Sequence, residues 1–179
     1  DTYVVDTATD TITELAGAGN DTARASVNYT LDAEVENLFL EQGGLTGTGN
    51  ALNNSVVGSS GNDTVYGMDG NDLLRGNDGD DTMWGGNGLD TLRGDNGNDR
   101  LYGEAGDDSL NGGAGNDLLN GGIGNDILIG GAGNDVMTGG TGCDSFRFYA
   151  ADVATYSLDE ITDFTAGQDK IDLRQVNPG

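Results

Sequence analysis

A nine-residue repeat runs through the middle of this chain and constrains its fold more than any other feature. Ten consecutive units cover residues 58–147 without a change of register. They contain 25 of the 33 glycines, so the high glycine content reflects the repeat rather than disorder or collagen. Four positions keep their residue type in all ten units, which composition alone cannot produce. The pattern indicates a solenoid or a repeat array.

The four fixed positions are two glycines, an aspartate and an apolar residue. Position one is glycine at residues 58, 67, 76, 85, 94, 103, 112, 121, 130 and 139, and position four is glycine three residues later. Position six is always aspartate: Asp63, Asp72, Asp81, Asp90, Asp99, Asp108, Asp117, Asp126, Asp135 and Asp144. Position eight is always apolar: Val65, Leu74, Met83, Leu92, Leu101, Leu110, Leu119, Leu128, Met137 and Phe146.

Each unit divides into a turn and a strand. The first six residues hold the fixed glycines, which permit a positive φ or a close backbone approach. The last three place one apolar residue between two others, which predicts a short strand with one inward side chain. Glycine at this frequency excludes a helix. Two turns and two strands close an 18-residue coil, so we predict an all-β parallel roll of about five coils with strands about 4.8 Å apart.

Outward position nine supports the 18-residue coil because its residue types separate by face. Odd units hold Tyr66, Trp84, Tyr102, Asn120 and Thr138, and even units hold Arg75, Arg93, Asn111, Ile129 and Arg147. Spaced aromatics can stack on sugars, and arginines can contact an anionic polysaccharide. Stacked aromatics also stabilise a sheet or pack on a neighbouring domain, and arginines are ordinary counter-charges. We favour the stabilising interpretation.

The aspartates predict a bound cation. Stacked coils align Asp63 with Asp81 and Asp72 with Asp90, and carboxylates about 5 Å apart repel by roughly 3 kcal/mol at an effective dielectric near 20. Carboxylate and carbonyl oxygens together suit a hard cation, and calcium tolerates such a flexible cage better than magnesium. Four gaps on each edge predict about eight calcium ions. The alternative is that the aspartates only form Asx turns.

A thin glycine-rich roll buries little apolar surface against a large loss of backbone entropy. We therefore expect it to be unfolded without metal, so that metal binding supplies its folding free energy. An EF-hand is excluded, because the loops are too short and no helices flank them.

Composition excludes several other classes of protein. With 31 acidic and 7 basic residues, the net charge is −24, so nucleic acid is not an expected partner. Without histidine and with one cysteine, the chain offers no zinc site, disulfide framework or histidine-dependent catalysis. No Gly-x-Ser-x-Gly motif is present, so we expect a non-catalytic module. No run of 18 apolar residues predicts a membrane span, and no cleavable signal peptide is visible.

The units resemble the Gly-Gly-x-Gly-x-Asp-x-apolar-x repeat of the repeat-in-toxin (RTX), or hemolysin-type, calcium-binding family, as found in serralysin-type proteases and alginate epimerases. The resemblance implies a right-handed parallel β-roll with each ion between turns i and i+2. The earlier turn would give the carbonyls of positions two and four, the later turn those of positions one and three, and each its aspartate. The first site would pair Asp63, Ser59 and Gly61 with Asp81, Gly76 and Asp78.

Carried over the other units, the resemblance assigns two further sets of carbonyl ligands. The position-four set is Gly61, Gly70, Gly79, Gly88, Gly97, Gly106, Gly115 and Gly124; the position-one set is Gly76, Gly85, Gly94, Gly103, Gly112, Gly121, Gly130 and Gly139. Position two is glycine in only half the units, and Leu89 and Cys143 replace the usual Asn or Asp at position five. We expect sites there to weaken rather than disappear.

The resemblance also implies that the protein is secreted and acts outside the cell. It predicts export by a type I secretion system, with the chain unfolded in low cytosolic calcium and folding outside as a secreted module that we expect to be monomeric. The alternative is a polysaccharide-binding module of an extracellular carbohydrate-active enzyme or adhesin, since alginate epimerases carry similar rolls. The opening residues look like the tail of an earlier repeat, so we expect a longer parent protein.

The two ends are predicted to cap the roll. Residues 1–57 form the N-terminal cap, with strands at 2–5, 11–15, 25–29 and 35–40, and residues 49–57 are a metal-free coil because Asn54 replaces the aspartate. Residues 148–179 resemble the segment that caps the roll in serralysin-type proteases, with strands at 146–149, 160–164 and 170–173. This cap would cover Leu118, Ile127, Ile129 and Val136. Asp152 could complete a terminal calcium site, although a surface role is favoured.

Overall fold

The computed structural model of the chain describes residues 1–15, 17, 19–149 and 157–174. The described residues form eighteen β-strands and no helix. Their bounds are β1 Thr2–Val5, β2 Thr22–Ala25, β3 Tyr29–Thr30, β4 Asn37–Leu40, β5 Thr46–Thr48, β6 Ser55–Val57, β7 Thr64–Asp69, β8 Leu73–Asp78, β9 Thr82–Asn87, β10 Thr91–Asn96, β11 Arg100–Ala105, β12 Ser109–Ala114, β13 Leu118–Ile123, β14 Ile127–Ala132, β15 Val136–Thr141, β16 Ser145–Tyr149, β17 Glu160–Ile161 and β18 Lys170–Arg174.

The strands form two parallel sheets that face each other across one narrow core. Sheet A has ten strands in the order β1-β2-β4-β6-β8-β10-β12-β14-β16-β18, and sheet B has eight in the order β17-β15-β13-β11-β9-β7-β5-β3. In the repeat, each residue pairs with the residue 18 positions on, as Thr64 does with Thr82. The parallel roll and its 18-residue coil are therefore confirmed.

The roll has about eight coils, so the prediction of five was wrong in number. The end segments are coils of the same two sheets. Their registers differ from the repeat, since Thr2 pairs with Thr22, and Thr22 pairs with Asn37. A coil of variable length leaves no nine-residue period in the sequence, yet it can still turn its apolar side chains inward.

The strands of the repeat are longer than predicted. Each spans six residues in most units, because it continues from position seven through position three of the next unit. Burial alternates along it, with both the position-eight side chain and the position-one glycine facing inward, as in Leu92 and Gly94. The turn is consequently reduced to positions four to six. The sequence pattern predicted that the position-eight side chain faces inward, but it did not predict that the position-one glycine does so too.

Several predicted end strands are also corrected. Residues 11–15 form no strand; Ile12 is buried there, and its backbone N–H donates to Asp32 Oδ2 at 2.8 Å. Only the end residues of the predicted strand 25–29 lie in strands, since residues 26–28 form the gap between β2 and β3, and β4 begins two residues later than predicted. In the C-terminal segment β17 covers only the first part of the predicted 160–164.

The core is a stack of the position-eight side chains, all of them completely buried. At the C-terminal end Ile161 and Phe148 pack on this stack, and the Phe164 ring lies 6.3 Å from that of Phe146. Strands β17 and β18 extend the two sheets edge to edge. The outward Leu118, Ile127, Ile129 and Val136 remain half-buried in the described structure. Asp152 lies outside the described residues.

Nothing helical in the part of the chain described here reaches the length or apolarity required to span a bilayer.

Candidate calcium sites

The position-six aspartates form two buried columns, one on each edge of the roll. Each is at most 3% exposed. The backbone N–H of one aspartate donates to Oδ1 of the aspartate one coil later, at 2.7 to 3.0 Å. This hydrogen bond holds the carboxylates in line and satisfies one oxygen of each.

Both columns continue beyond the repeat. The Asp135 N–H donates to Asp159 Oδ1 and the Asp144 N–H to Asp169 Oδ1, each at 3.1 Å. The repeat does not predict Asp159 or Asp169 as members of the columns, because neither lies at a nonapeptide position. Only their register within the added coils shows that they belong to the columns.

The second carboxylate oxygen is buried without a hydrogen-bond donor. This holds for Oδ2 of Asp72, Asp81, Asp90, Asp99, Asp108, Asp117, Asp126 and Asp144. A buried acceptor left in this way costs about 1–3 kcal/mol, and a charged one costs more. The arrangement therefore fits a positively charged ligand at each such oxygen.

A carbonyl oxygen of the next coil borders the same space. A Cβ added at Gly112 would lie 2.6 Å from the Gly130 carbonyl oxygen and closer still to Asp117 Oδ2. The same combination occurs beside Gly58, Gly67, Gly76, Gly85, Gly94, Gly103, Gly112 and Gly121, which makes eight spaces in the described chain. Position one is therefore glycine because a side chain would fill the space, and the two oxygens facing it form a donor set for a hard cation.

The strand ladder is interrupted at the same place. Between β10 and β12 the register passes from the pair Arg93–Asn111 to the pair Asp95–Gly113, with no pair at Gly94. The other long ladders omit position one in the same manner. The ladder thus leaves position one out of its pairing where that carbonyl borders the carboxylate.

Burial raises the pKa of the aspartates in these columns. Desolvation is the main cause, the backbone N–H of the preceding aspartate opposes it, and neighbouring carboxylates add to it. The pKa rises to about 7 for Asp72, Asp81, Asp108 and Asp117, and to about 6 for Asp99 and Asp126. Without a cation, these carboxylates therefore hold protons close to neutral pH.

The backbone conformation at position two decides whether a unit donates a hydrogen bond to Oδ2 of its own aspartate. In the nine units that begin at residues 67 to 139, position two has a φ between 74° and 112°. Ser59, in the first unit, does not; its N–H and hydroxyl instead donate to Asp63 Oδ2, at 2.7 and 3.0 Å. Ser59 was expected to offer its carbonyl, and the structure directs its donors at the carboxylate.

Turns outside the repeat use the same internal donor. The Asn50 N–H donates to Asn54 Oδ1 at 2.7 Å, and the Thr165 N–H donates to Asp169 Oδ2 at 2.6 Å. The Asn54 amide also donates to the carbonyls of Val35 and Glu36. These terminal turns are satisfied by protein groups, whereas most aspartates of the repeat are not.

The remaining predicted ligands are placed differently. Position-three carbonyls accept the position-four N–H of the previous coil, as Asn87 does from Gly70 at 2.9 Å. Position-four carbonyls point along the column at the next position-four glycine, as Gly70 does toward Gly88. Most position-four glycines have a positive φ, between 117° and 147°. The structure therefore brings the aspartates together with the position-one carbonyls, and it places the position-four carbonyls between successive turns.

The family comparison agrees with this geometry. The RTX calcium-binding nonapeptide repeat, described as four copies, matches residues 48–83, 84–119 and 111–146. The matches cover more than half of the chain, so the protein belongs to the family of RTX calcium-binding nonapeptide repeats. Its fold and site are those of a calcium-binding β-roll module, a class typical of secreted proteins. A comparison with curated proteins found no match to this chain.

The aromatic ladder on sheet B is stacked on itself. The ring centroids of Tyr66 and Trp84 lie 4.7 Å apart with an interplanar angle of 8°, and those of Trp84 and Tyr102 lie 5.5 Å apart at 12°. Both faces of the indole are therefore covered by tyrosines. This geometry supports the stabilising interpretation, and sugar binding at the ladder stays a prediction.

The position-nine arginines of sheet A have carboxylate partners. Arg75 and Arg93 both form ion pairs with Asp95, and Arg147 lies 4.0 Å from Asp172. Arg147 is also three coils away from Arg93 in the sheet order. The contacts fit counter-charges; binding of an anionic polysaccharide by these arginines stays a prediction.

Position five forms another ladder, on the outside of the turns. Asn71 Oδ1 accepts the Leu89 N–H, and Asn98 Oδ1 accepts the Asn116 N–H, each at 2.9 Å. Leu89 is 57% exposed and has no oxygen to offer the N–H of Asp107 one coil later. Position five thus serves the turn rather than the cation space.

Leu89→Asn is expected to stabilise the calcium-loaded roll by about 1 kcal/mol, because it supplies the missing acceptor. Thermal unfolding followed by circular dichroism measures the effect. Leu89→Ala is the matched control, since it removes the exposed apolar side chain without adding an acceptor. Equal stabilisation by the two variants would contradict the hydrogen-bond explanation.

Proposed function

We propose that this chain is a calcium-dependent folding module in which the ions bind between successive coils. The observation that carries the proposal is the buried Oδ2 of the repeat aspartates, which faces a carbonyl of the next coil with no donor nearby. Asp99, for example, would bind together with the Gly112 carbonyl. Seven of the eight carboxylate–carbonyl spaces have an Oδ2 without a donor, because Ser59 donates to that of Asp63, and they support a capacity of about seven to eight ions.

The nearest-neighbour architecture supports a folded state that depends on these ions. Within the described residues each coil packs mainly on the coils beside it. Its inward layer in the repeat holds two position-eight side chains and two glycines. Such a layer contributes little apolar burial. Repulsion between acidic side chains also disfavours the metal-free roll. The net charge is −24 without metal, and eight divalent ions would bring it to about −8.

Circular dichroism of the full chain with calcium and with a chelator tests the proposal. The expected result is a disordered spectrum in the chelator and a cooperative change to β-structure when calcium is added. Magnesium at the same concentration is the control, and we expect it to be much less effective because it requires octahedral geometry. A β-rich spectrum that is identical in chelator and in calcium would refute calcium-dependent folding.

We further propose that calcium-dependent folding serves export by a type I secretion system. The acidic composition and single lysine support a soluble unfolded chain at low cytosolic calcium, and calcium outside the cell would then drive folding. Expression of the parent protein with and without its cognate transporter tests this role, with the folded module expected only in the medium. Equal release without the transporter would contradict it.

A further inference from the structure

A notch beside Trp84 on sheet B is a feature that calcium binding does not explain. Its volume is about 210 Å³, and Met68, Trp84, Gly86 and Glu104 are among its lining residues. The strand register creates it, because Gly86 pairs with Met68 on one side and with Glu104 on the other. Gly86 has no side chain, so the two longer side chains in the neighbouring coils form opposite walls.

Both walls carry backbone strain. Met68 has a φ of 89° and Glu104 a φ of 74°, a conformation that is unfavourable for a residue with a Cβ. Glycine occupies the same position in five of the ten units without this cost. Strain of this kind is concentrated at binding sites and switch regions.

Other strained residues at position two have partners within the chain. The Asn77 amide donates to the Gly58 carbonyl at 2.8 Å, and the Asp95 carboxylate pairs with two arginines. The side chains of Met68 and Glu104 make no hydrogen bond or ion pair within the described structure. Their shared feature is the notch.

The chemistry of the notch fits a narrow side chain with a positive end. Met68 and the ring edges of Tyr66 and Trp84 form an apolar wall, and Glu104 and Asp69 provide carboxylates. The notch is smaller than the roughly 300 Å³ at which pockets for small molecules begin. A lysine side chain combines an apolar stem with an ammonium group and matches both parts of the lining.

We propose that this notch binds a lysine side chain of a basic partner polypeptide. The chain has one lysine of its own, Lys170 in sheet A. A second copy is disfavoured as the partner, because two chains that keep a net charge of about −8 with calcium bound still repel each other. A basic polypeptide is attracted by the same charge.

Trp84 is the only tryptophan, so its fluorescence reports directly on the notch. The calcium-loaded full chain is titrated with acetyl-Gly-Lys-Gly-amide and with the same peptide containing norleucine. We expect a saturable change with the lysine peptide at a Kd on the order of 1 mM, and none with norleucine. Circular dichroism of the same sample separates a failure to fold from a failure to bind.

Two variants and a control locate the binding. Met68→Gly removes a wall and relieves the strain, so the saturable change should be lost while the thermal midpoint stays the same or rises. Glu104→Gln should weaken binding about fivefold. Asp107→Asn removes the same charge from an exposed position outside the notch and should change the Kd by less than about twofold.

Three results would overturn the proposal. The first is an equal response to the norleucine peptide, and the second is equal weakening by Asp107→Asn and Glu104→Gln. The third is a saturable response to an oligouronate in place of the lysine peptide, which would assign the notch to a sugar.

Discussion

Asp99→Asn is expected to raise the calcium concentration needed for folding and to remove at least one bound ion. The amide keeps the shape of the carboxylate and can still accept the Asp81 N–H through Oδ1. It replaces the oxygen that faces the Gly112 carbonyl with an NH2 group, which carries no charge and cannot bind a cation. The loss of one charged ligand corresponds to about 1.5–3 kcal/mol, or at least about tenfold in affinity at that site. Isothermal titration calorimetry measures the number of ions and their affinity.

Asp99→Ala should be more damaging than Asp99→Asn. It leaves the buried Asp81 N–H without its acceptor, which adds about 1–3 kcal/mol of destabilisation. Asp107→Asn is the control for the change in net charge, because Asp107 is exposed at position five of a different turn. If Asp99→Asn titrates with calcium as the unchanged protein does, the ligand assignment is wrong.

The need for calcium in folding is expected to decrease as the pH is lowered. Burial raises the pKa of Asp72, Asp81, Asp108 and Asp117 from 3.8 to about 7 in the roll. The metal-free roll therefore binds more protons than the unfolded chain, and its stability is greatest at low pH and falls as pH rises from about 4 to about 7. Above that range both states are ionised and the full penalty of the buried charges remains.

Two measurements check this pH dependence. In chelator, lowering the pH from 8 to about 4.5 should increase the β-signal in circular dichroism. Calcium binding to the folded roll should weaken below about pH 7, by roughly tenfold per pH unit for each proton displaced, because calcium then has to replace protons on these carboxylates. Loss of β-signal on acidification in chelator would contradict the assigned burial of uncompensated carboxylates.

Much of the repeat could be predicted because its determinants are local. Every unit places an apolar residue at position eight and an aspartate at position six, as in Leu92 and Asp90, and the nine-residue spacing brings each to the same place in every coil. Strand pairing between residues 18 apart then follows from closing two units into one coil. The buried columns confirmed the alignment of aspartates that this argument required.

The end coils could not be predicted from the period because they do not have it. The 20-residue offset of Thr2 and Thr22 and the 15-residue offset of Thr22 and Asn37 depend on where each strand finds a partner edge. Asp159 and Asp169 lie in the columns because of the register of the added strands, which the nine-residue period does not predict. Their contribution is visible only when β17 and β18 are aligned with the strands before them.

The local sequence pattern also did not show in which units position two donates a hydrogen bond to the aspartate of the same unit. Ser59 and Met68 both stand at position two, yet only Ser59 directs its N–H at the aspartate of its unit. The difference is the sign of φ, which a non-glycine residue does not reveal in the sequence.

The amino-acid sequence by itself determined the coil length, the inward apolar stack and the two acidic columns, since each depends on spacing along the chain. The tertiary structure alone decided how many coils stack, which carboxylate oxygens remain without a donor, and where Gly86 opens a notch between Met68 and Glu104. Those properties arise between coils, where register and backbone conformation set the contacts of residues far apart in the chain.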